Sequence, residues 1–162
     1  MRSKVDIEHA IDTYGDTVWR ACVLYFKQAP DAQDAFQETF LKYSETETSF
    51  NSEEHRKAWL IRVATNVCKD MLKAAHRKNL AFDGNADESW PISGSSDIQP
   101  GSDLYEVLNA MRALADPPRT PVFLSLYEGY TAGEIAEILD APVNTVYSWI
   151  ARGKQQLKEV LR

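Results

Sequence analysis

An all-α chain, built from two small helical domains joined by a flexible linker, is the fold this sequence predicts. Three observations carry that expectation. A length of 162 residues suits one medium domain or two small ones. Apolar side chains recur at three-and-four spacing both early and late in the chain. Between these stretches lies a run rich in Gly, Ser, Asp and Pro (FDGNADESWPISGSSDIQPGS). It buries too little apolar surface to offset the entropy of ordering it.

The elements follow in order. Residues 4–27 place Ile7, Ala10, Ile11, Tyr14, Val18, Cys22 and Tyr25 on one helical face. Pro30 and Asp31 punctuate the chain, with Asp31 as N-cap of a second helix. Its apolar face holds Ala35, Phe36, Phe40 and Tyr43, and it fades near Thr46. A long helix over residues 54–78 turns Leu60, Val63, Ala64, Val67, Cys68, Met71, Leu72 and Ala75 inward. At about 1.5 Å per residue it spans roughly 37 Å. These three helices form a first domain, residues 1–78. The linker is residues 79–102, with Phe82, Trp90, Ile92 and Ile98 as its sizeable apolar side chains.

The second domain, residues 103–162, opens with a helix over residues 104–114 whose face is Leu104, Val107, Leu108, Met111 and Leu114. Pro117 and Pro118 stop it. Thr120 and Pro121 pattern as an N-cap followed by proline at the first helical position. They start a helix through Val122, Phe123, Leu126 and Tyr127 that ends at Gly129. Thr131 and Glu134 form a capping-box signature before a short helix over residues 135–139. After Asp140, Ala141 and Pro142 a last helix runs to the C-terminus.

That ending has the requirements of a helix-turn-helix. Ala136 is small where the helices cross, Asp140 tolerates positive φ at the turn, and Val146 and Ile150 lie one helical turn apart beneath the second helix. Asn144, Thr145, Tyr147, Ser148, Ala151 and Arg152 are left facing outward, toward the base edges of a major groove. Arg152 and Lys154 suit phosphates or a guanine. A helical hairpin with an ordinary solvated face is the plainer alternative.

Charge supports a nucleic-acid partner once its distribution is considered. The net charge of −6 argues against it, yet residues 54–78 carry seven bases against two acids, a local balance of +5. Residues 141–162 carry four bases against one acid, a balance of +3. Two basic surfaces stand in an acidic remainder. No glycine-rich phosphate loop, metal-ligand cluster or nucleophile-and-base set appears, and the three histidines are scattered. The reading is therefore no enzyme, no cofactor, no metal and no small-molecule substrate. Cys22 and Cys68 have apolar neighbours at helical spacing, which suits reduced core thiols. No run of eighteen apolar residues exists, and MRSKVDIEHA has charges where a signal peptide needs an apolar core. A soluble, cytoplasmic protein without membrane insertion is expected.

Both halves together carry a resemblance. DAQDAFQETFLKY (residues 31–43) and FNSEEHRKAWLIRVATNVCKD (residues 50–70) resemble the second conserved region of bacterial extracytoplasmic-function sigma factors, in the sigma-70 family. YEGYTAGEIAEILDAPVNTVYSWIARGKQQLK (residues 127–158) is similar to their fourth region. The order matches the family's, with the linker where its third region is missing. The resemblance implies a promoter-recognising subunit of core RNA polymerase, which itself supplies the catalysis.

By that resemblance Asp34, Gln37, Glu38, Phe40 and Leu41 dock on the clamp helices of the largest polymerase subunit, and the fourth region meets the flap. Phe50 and Asn51, in the loop of residues 50–54, with Trp59, Arg62, Asn66, Lys69, Asp70 and Lys73 of the next helix, bind and help open the minus-10 element. Asn51 is the candidate for an unstacked non-template base. Trp59 is either core packing or a wedge beside the duplex. Housekeeping relatives carry aromatics where His55 and Arg56 stand here, so weaker melting and a narrow promoter set are implied. Asn144, Thr145, Tyr147, Ser148, Arg152 and Lys154 fall to the minus-35 element. Trp149 departs from the family, where a basic or polar residue is usual. An anti-sigma protein covering both DNA-facing surfaces is a further implied partner. The rivals are a stand-alone helix-turn-helix regulator with a sensing first domain and a decoy that binds polymerase without starting transcripts.

Overall fold

A computed structural model describes residues 2–26, 29–78, 103–114 and 118–160, and these are helical with short connections. The chain divides into two compact units, Met1–Ser96 and Asp97–Arg162. The expected linker, residues 79–102, lies outside the described residues, as do Pro117 and the last two positions.

In the N-terminal unit α1 is Lys4–Val23, α2 is Ala29–Glu45 and α3 is Glu53–Lys78. Ser3 caps α1, its side chain accepting the Asp6 N–H at 3.1 Å. The three helices pack on one another. Their core is Ala10, Val18, Trp19 and Cys22 of α1, Ala35, Phe40 and Tyr43 of α2, and Leu60, Ile61, Ala64 and Cys68 of α3. Ile11 stays exposed, and Tyr25 is buried beyond the end of α1.

Two expectations need correction here. Asp31 is not the N-cap of α2: the helix already starts at Ala29, and Asp31 lies in its first turn. Pro30 opens this helix because the first N–H groups have no intrahelical acceptor to lose. Asp31 then sets its negative charge against the positive helix end. The inward stripe of α3 also stops early. Leu72 is 39 % exposed and Ala75 is exposed. With 26 residues α3 is about 39 Å long, whereas α1 with 20 reaches only about 30 Å. Its last turns therefore outrun the helices that would cover them.

The buried thiols of Cys22 and Cys68 are free, as expected. The Cys22 thiol is held well above its usual range, first by its hydrogen bond with Cys68 and then by burial. Such thiols are poor nucleophiles.

The C-terminal unit comprises α4 (Asp103–Arg112), α5 (Arg119–Val122), α6 (Ala132–Leu139) and α7 (Val143–Val160). α5 runs on as a π-helical turn over Phe123–Tyr127. Its start is a second correction to the predicted caps. The N-cap position is Pro118, and Thr120 is buried inside the helix. Pro121, third in α5, is still among the residues whose N–H has no helical acceptor. Gly129 ends the segment at φ 82°, a conformation that glycine adopts without a Cβ penalty.

Two contacts close this unit. The Arg119 guanidinium donates to the carbonyls of Leu114 (2.9 and 3.1 Å) and Arg112 (3.2 Å), satisfying the end of α4. Gly153 lies where α7 crosses α5. A Cβ there would be 2.0 Å from Val122 Cγ2, so only glycine fits.

Candidate nucleic-acid interface

α6 and α7 form the helix-turn-helix. Thr131 and Glu134 make both halves of the capping box, at 3.2 Å and 2.8 Å. Asp140 is left-handed (φ 55°, ψ 54°), and its N–H closes on the Ala136 carbonyl. Val146 and Ile150 are buried with Ile135 and Ile138 between the two helices. The burial of that stripe fixes what remains outside.

Asn144, Tyr147, Ser148, Ala151 and Arg152 are exposed, Tyr147 at 60 %. Thr145 is half-buried on one flank and Lys154 exposed on the other, as the helical period requires. Trp149 is half-buried, turned toward the packed side rather than the outward face.

In the N-terminal unit the stripe of Arg62, Asn66, Asp70 and Lys73 is exposed, with Trp59 and Lys69 half-buried at its margins. It runs along α3 opposite Leu60, Ala64, Val67 and Cys68. The candidate docking face on α2 is split by the structure. Asp34, Gln37 and Leu41 are exposed, Leu41 at 50 %, and Glu38 pairs with Lys42 at 3.5 Å. Phe40 is 5 % exposed and packs against Phe36 and Tyr43, with ring centroids 5.0 and 6.5 Å away. The same period that exposes Leu41 turns Phe40 inward, so Phe40 supports this face from beneath.

The loop before α3 is built around Phe50. Its ring stacks on Tyr43 at 6.0 Å and meets His55 and Trp59 edge-on at 5.2 and 5.7 Å. The Arg2 and Arg56 guanidinium groups lie 4.9 and 5.1 Å from its centre. Trp59 is thus packed on the loop and still half-exposed. Asn51 is exposed, and its N–H donates to His55 Nδ1 at 3.1 Å. An open hollow of about 510 Å³ lies beside Phe50, Arg2 and Arg56, lined also by residues 46–49. Asn51 is not part of that lining.

Charged groups underpin the loop. The Tyr43 hydroxyl donates to Asp6 Oδ1 at 2.6 Å and accepts from Arg56. Arg56 also pairs with Asp6 at 3.3 Å and with Glu53 at 3.4 Å. The Tyr43 hydroxyl, and after it Arg2, holds the Asp6 carboxyl below its ordinary range against the effect of burial. Tyr14 donates to Glu53 Oε1 at 2.5 Å; burial and that carboxylate push its phenol up to about 12. Sequence reasoning passes over Arg2 and Asp6 and gives Tyr14 only a place on the apolar face of α1, because nothing local marks residues that act across the bundle.

The family description "Sigma-70 region 2" matches residues 10–78, and "Sigma-70, region 4" matches residues 104–157. The chain belongs to the sigma-70 family, in its extracytoplasmic-function group. The ECF RNA polymerase sigma factor SigW of Bacillus subtilis is 26 % identical, over 94 % of this chain and 87 % of its own length. The sigma-E factor of Haemophilus influenzae is 28 % identical, over 82 % and 75 %. Among solved structures, the sigma factor RpoE from Bartonella quintana, bound to the anti-sigma factor NepR, superimposes with a TM-score of 0.76. That match has 23 % identity and covers 96 % of each chain. CnrH, bound to the cytosolic domain of CnrY, gives 0.68 at 19 % identity, over 98 % and 89 %. Both share the fold. As a sigma factor the chain is a transcription initiation factor that works with RNA polymerase at promoter DNA. No described helix is long and apolar enough to cross a membrane.

Proposed function

We propose that this sigma factor divides promoter reading between its two units, residues 1–78 taking the minus-10 element and residues 103–162 the minus-35 element. The observation that supports this most is the pair of solvent-facing stripes, on α3 and α7, each directly opposite its own helix's buried stripe. On α3, Arg62, Lys69 and Lys73 suit phosphates, while Asn66 and Trp59 suit bases. On α7, Asn144, Ser148 and Arg152 face base edges, with Thr145, Tyr147 and Lys154 along the groove walls. An unstacked base enters the loop beside Phe50, either into the hollow or against Asn51.

Asp34, Gln37, Glu38 and Leu41 present carboxylates and amides around an apolar centre to the polymerase clamp helices. Residues 79–102 serve as a tether, so affinity for DNA arises when both units are spread on polymerase, with the second unit at the flap. The protein has no catalysis of its own and works in the cytoplasm. Control by an anti-sigma protein is part of the same proposal, since RpoE, of similar fold, was solved with the anti-sigma factor NepR.

Run-off transcription from a genomic fragment library, with the purified chain and bacterial core polymerase, tests the reading. Protein-dependent transcripts starting at a fixed distance from a shared two-part motif are expected. Core binding without transcripts would make it a decoy, and absence of core binding would leave a stand-alone regulator.

A further inference from the structure

Arg2 lies outside the matched region 2, which begins at residue 10, yet its side chain ties α1, the end of α2 and the loop before α3 together. Its backbone N–H donates to the Ser44 carbonyl at 3.0 Å, and its Nε to the Tyr43 carbonyl at 3.1 Å. Both acceptors belong to the last turn of α2, whose carbonyls have no helical donor and whose dipole favours a cation. One terminal nitrogen donates to Asp6 Oδ2 at 3.0 Å, and the other to the Thr48 carbonyl in the loop itself. The guanidinium plane also covers the rings of Tyr43 and Phe50, at 4.6 and 4.9 Å. The side chain is only 14 % exposed.

A planar fork is needed for this. Three separate nitrogens of one rigid fork reach α1, the end of α2 and the loop together, a span that a compact ammonium with all its donors on one nitrogen cannot cover. Thr48 and Phe50 are thereby fixed relative to α2, and with them the hollow that Arg2 helps to line.

We propose that Arg2 is a positioning residue for promoter selectivity: it locks residues 46–50 in the shape that discriminates among minus-10 sequences. The inference rests on the reading of this loop as the minus-10 reader. Arg2 acts through the backbone of the loop and the ring of Phe50.

The test compares the parent chain with Arg2→Ala, Arg2→Lys and Asn51→Ala in two assays. Amide hydrogen exchange of the free protein reports the lock by itself. Exchange over residues 46–51 is expected to quicken roughly tenfold in Arg2→Ala, the scale of one charge-assisted hydrogen bond. Arg2→Lys, which keeps the charge, should recover only part of that. Run-off transcription by the holoenzyme from promoters differing at single positions reports the purpose. Arg2→Ala should cut the ratio of matched to mismatched minus-10 output several-fold and leave the minus-35 ratio alone, which a general loss of stability would not do. Unchanged exchange overturns the proposal whatever the promoters do. Quicker exchange with an unchanged minus-10 ratio also overturns it if Asn51→Ala shifts that ratio. If neither variant shifts it, the reading of the loop itself has failed, and the proposal with it.

Discussion

The turn before α7 and the loop before α3 are held in opposite ways. Asp140 closes the first on the Ala136 carbonyl, four positions back, in a helix whose own start Thr131 and Glu134 cap three positions apart. The second is set by Arg2, which reaches Tyr43 and Thr48 across 41 and 46 positions, and by Arg56, which reaches Asp6 across 50. Locally capped turns depend less on the rest of the unit for their shape. A loop pinned from afar keeps its shape only while the bundle is intact, so its order is coupled to global stability.

The largest effect that would sharpen this contrast lies in the C-terminal unit, at the long-range crossing of α5 and α7. Gly153→Ala is expected to destabilise that unit by about 2 kcal/mol, since overpacking against Val122 outweighs the better helix propensity of alanine. Thermal melting measures it, and combining it with Val122→Ala should show coupling above about 1 kcal/mol. Additive effects would mean that the two helices are not in register there.

Removing a local device should cost less. Thr131→Ala deletes one arm of the capping box and is expected to lower stability by about 1 kcal/mol, without altering exchange in the loop before α3. A change in that loop would break the contrast.

Acid probes the other unit. The Asp6 carboxyl titrates below its ordinary 3.8 when folded, so the stability it contributes is fully present above that value and is lost as pH falls through the depressed one. Circular dichroism should show the N-terminal unit loosening in acid below about pH 4, and Asp6→Asn should remove that part of the dependence. An identical acid profile in the variant would place the sensitivity elsewhere.

The smallest expected effect is at the turn. In Asp140→Gly, relief of a left-handed Cβ opposes the greater freedom of glycine in the unfolded chain, and melting should move by no more than about 0.5 kcal/mol. A larger loss would assign the Asp140 side chain a structural role beyond its φ.

The same contrast explains what the sequence could disclose. Thr131, Glu134, Asp140, Val146 and Ile150 are legible because capping, positive φ and helical period act between near neighbours. So are the stripes on α3 and α7. The start of α5 was misplaced because T-P looks like a cap, whereas proline is tolerated anywhere in a first turn. The inward stripe on α3 was drawn too long because a period does not say how far neighbouring helices extend. Phe40 joined the docking face by its place in a motif, although its angular position on α2 turns it inward. Arg2, Asp6 and Gly153 act through partners that only the folded bundle brings near, and no spacing in the chain announces them.

The π-helical turn at Phe123–Tyr127 has a consequence for chain length. There the Glu128 N–H returns to the Phe123 carbonyl at 3.2 Å, five positions back, one more than an ordinary helical turn spans. A turn of this kind holds a single surplus residue. Shortening the chain by one position there, for example by deleting Ser125, lets the helix close with normal spacing while α6 keeps its own caps. The segment is thus a slack joint, where the recognition module tolerates a one-residue deletion that would throw any other helix of the unit out of phase.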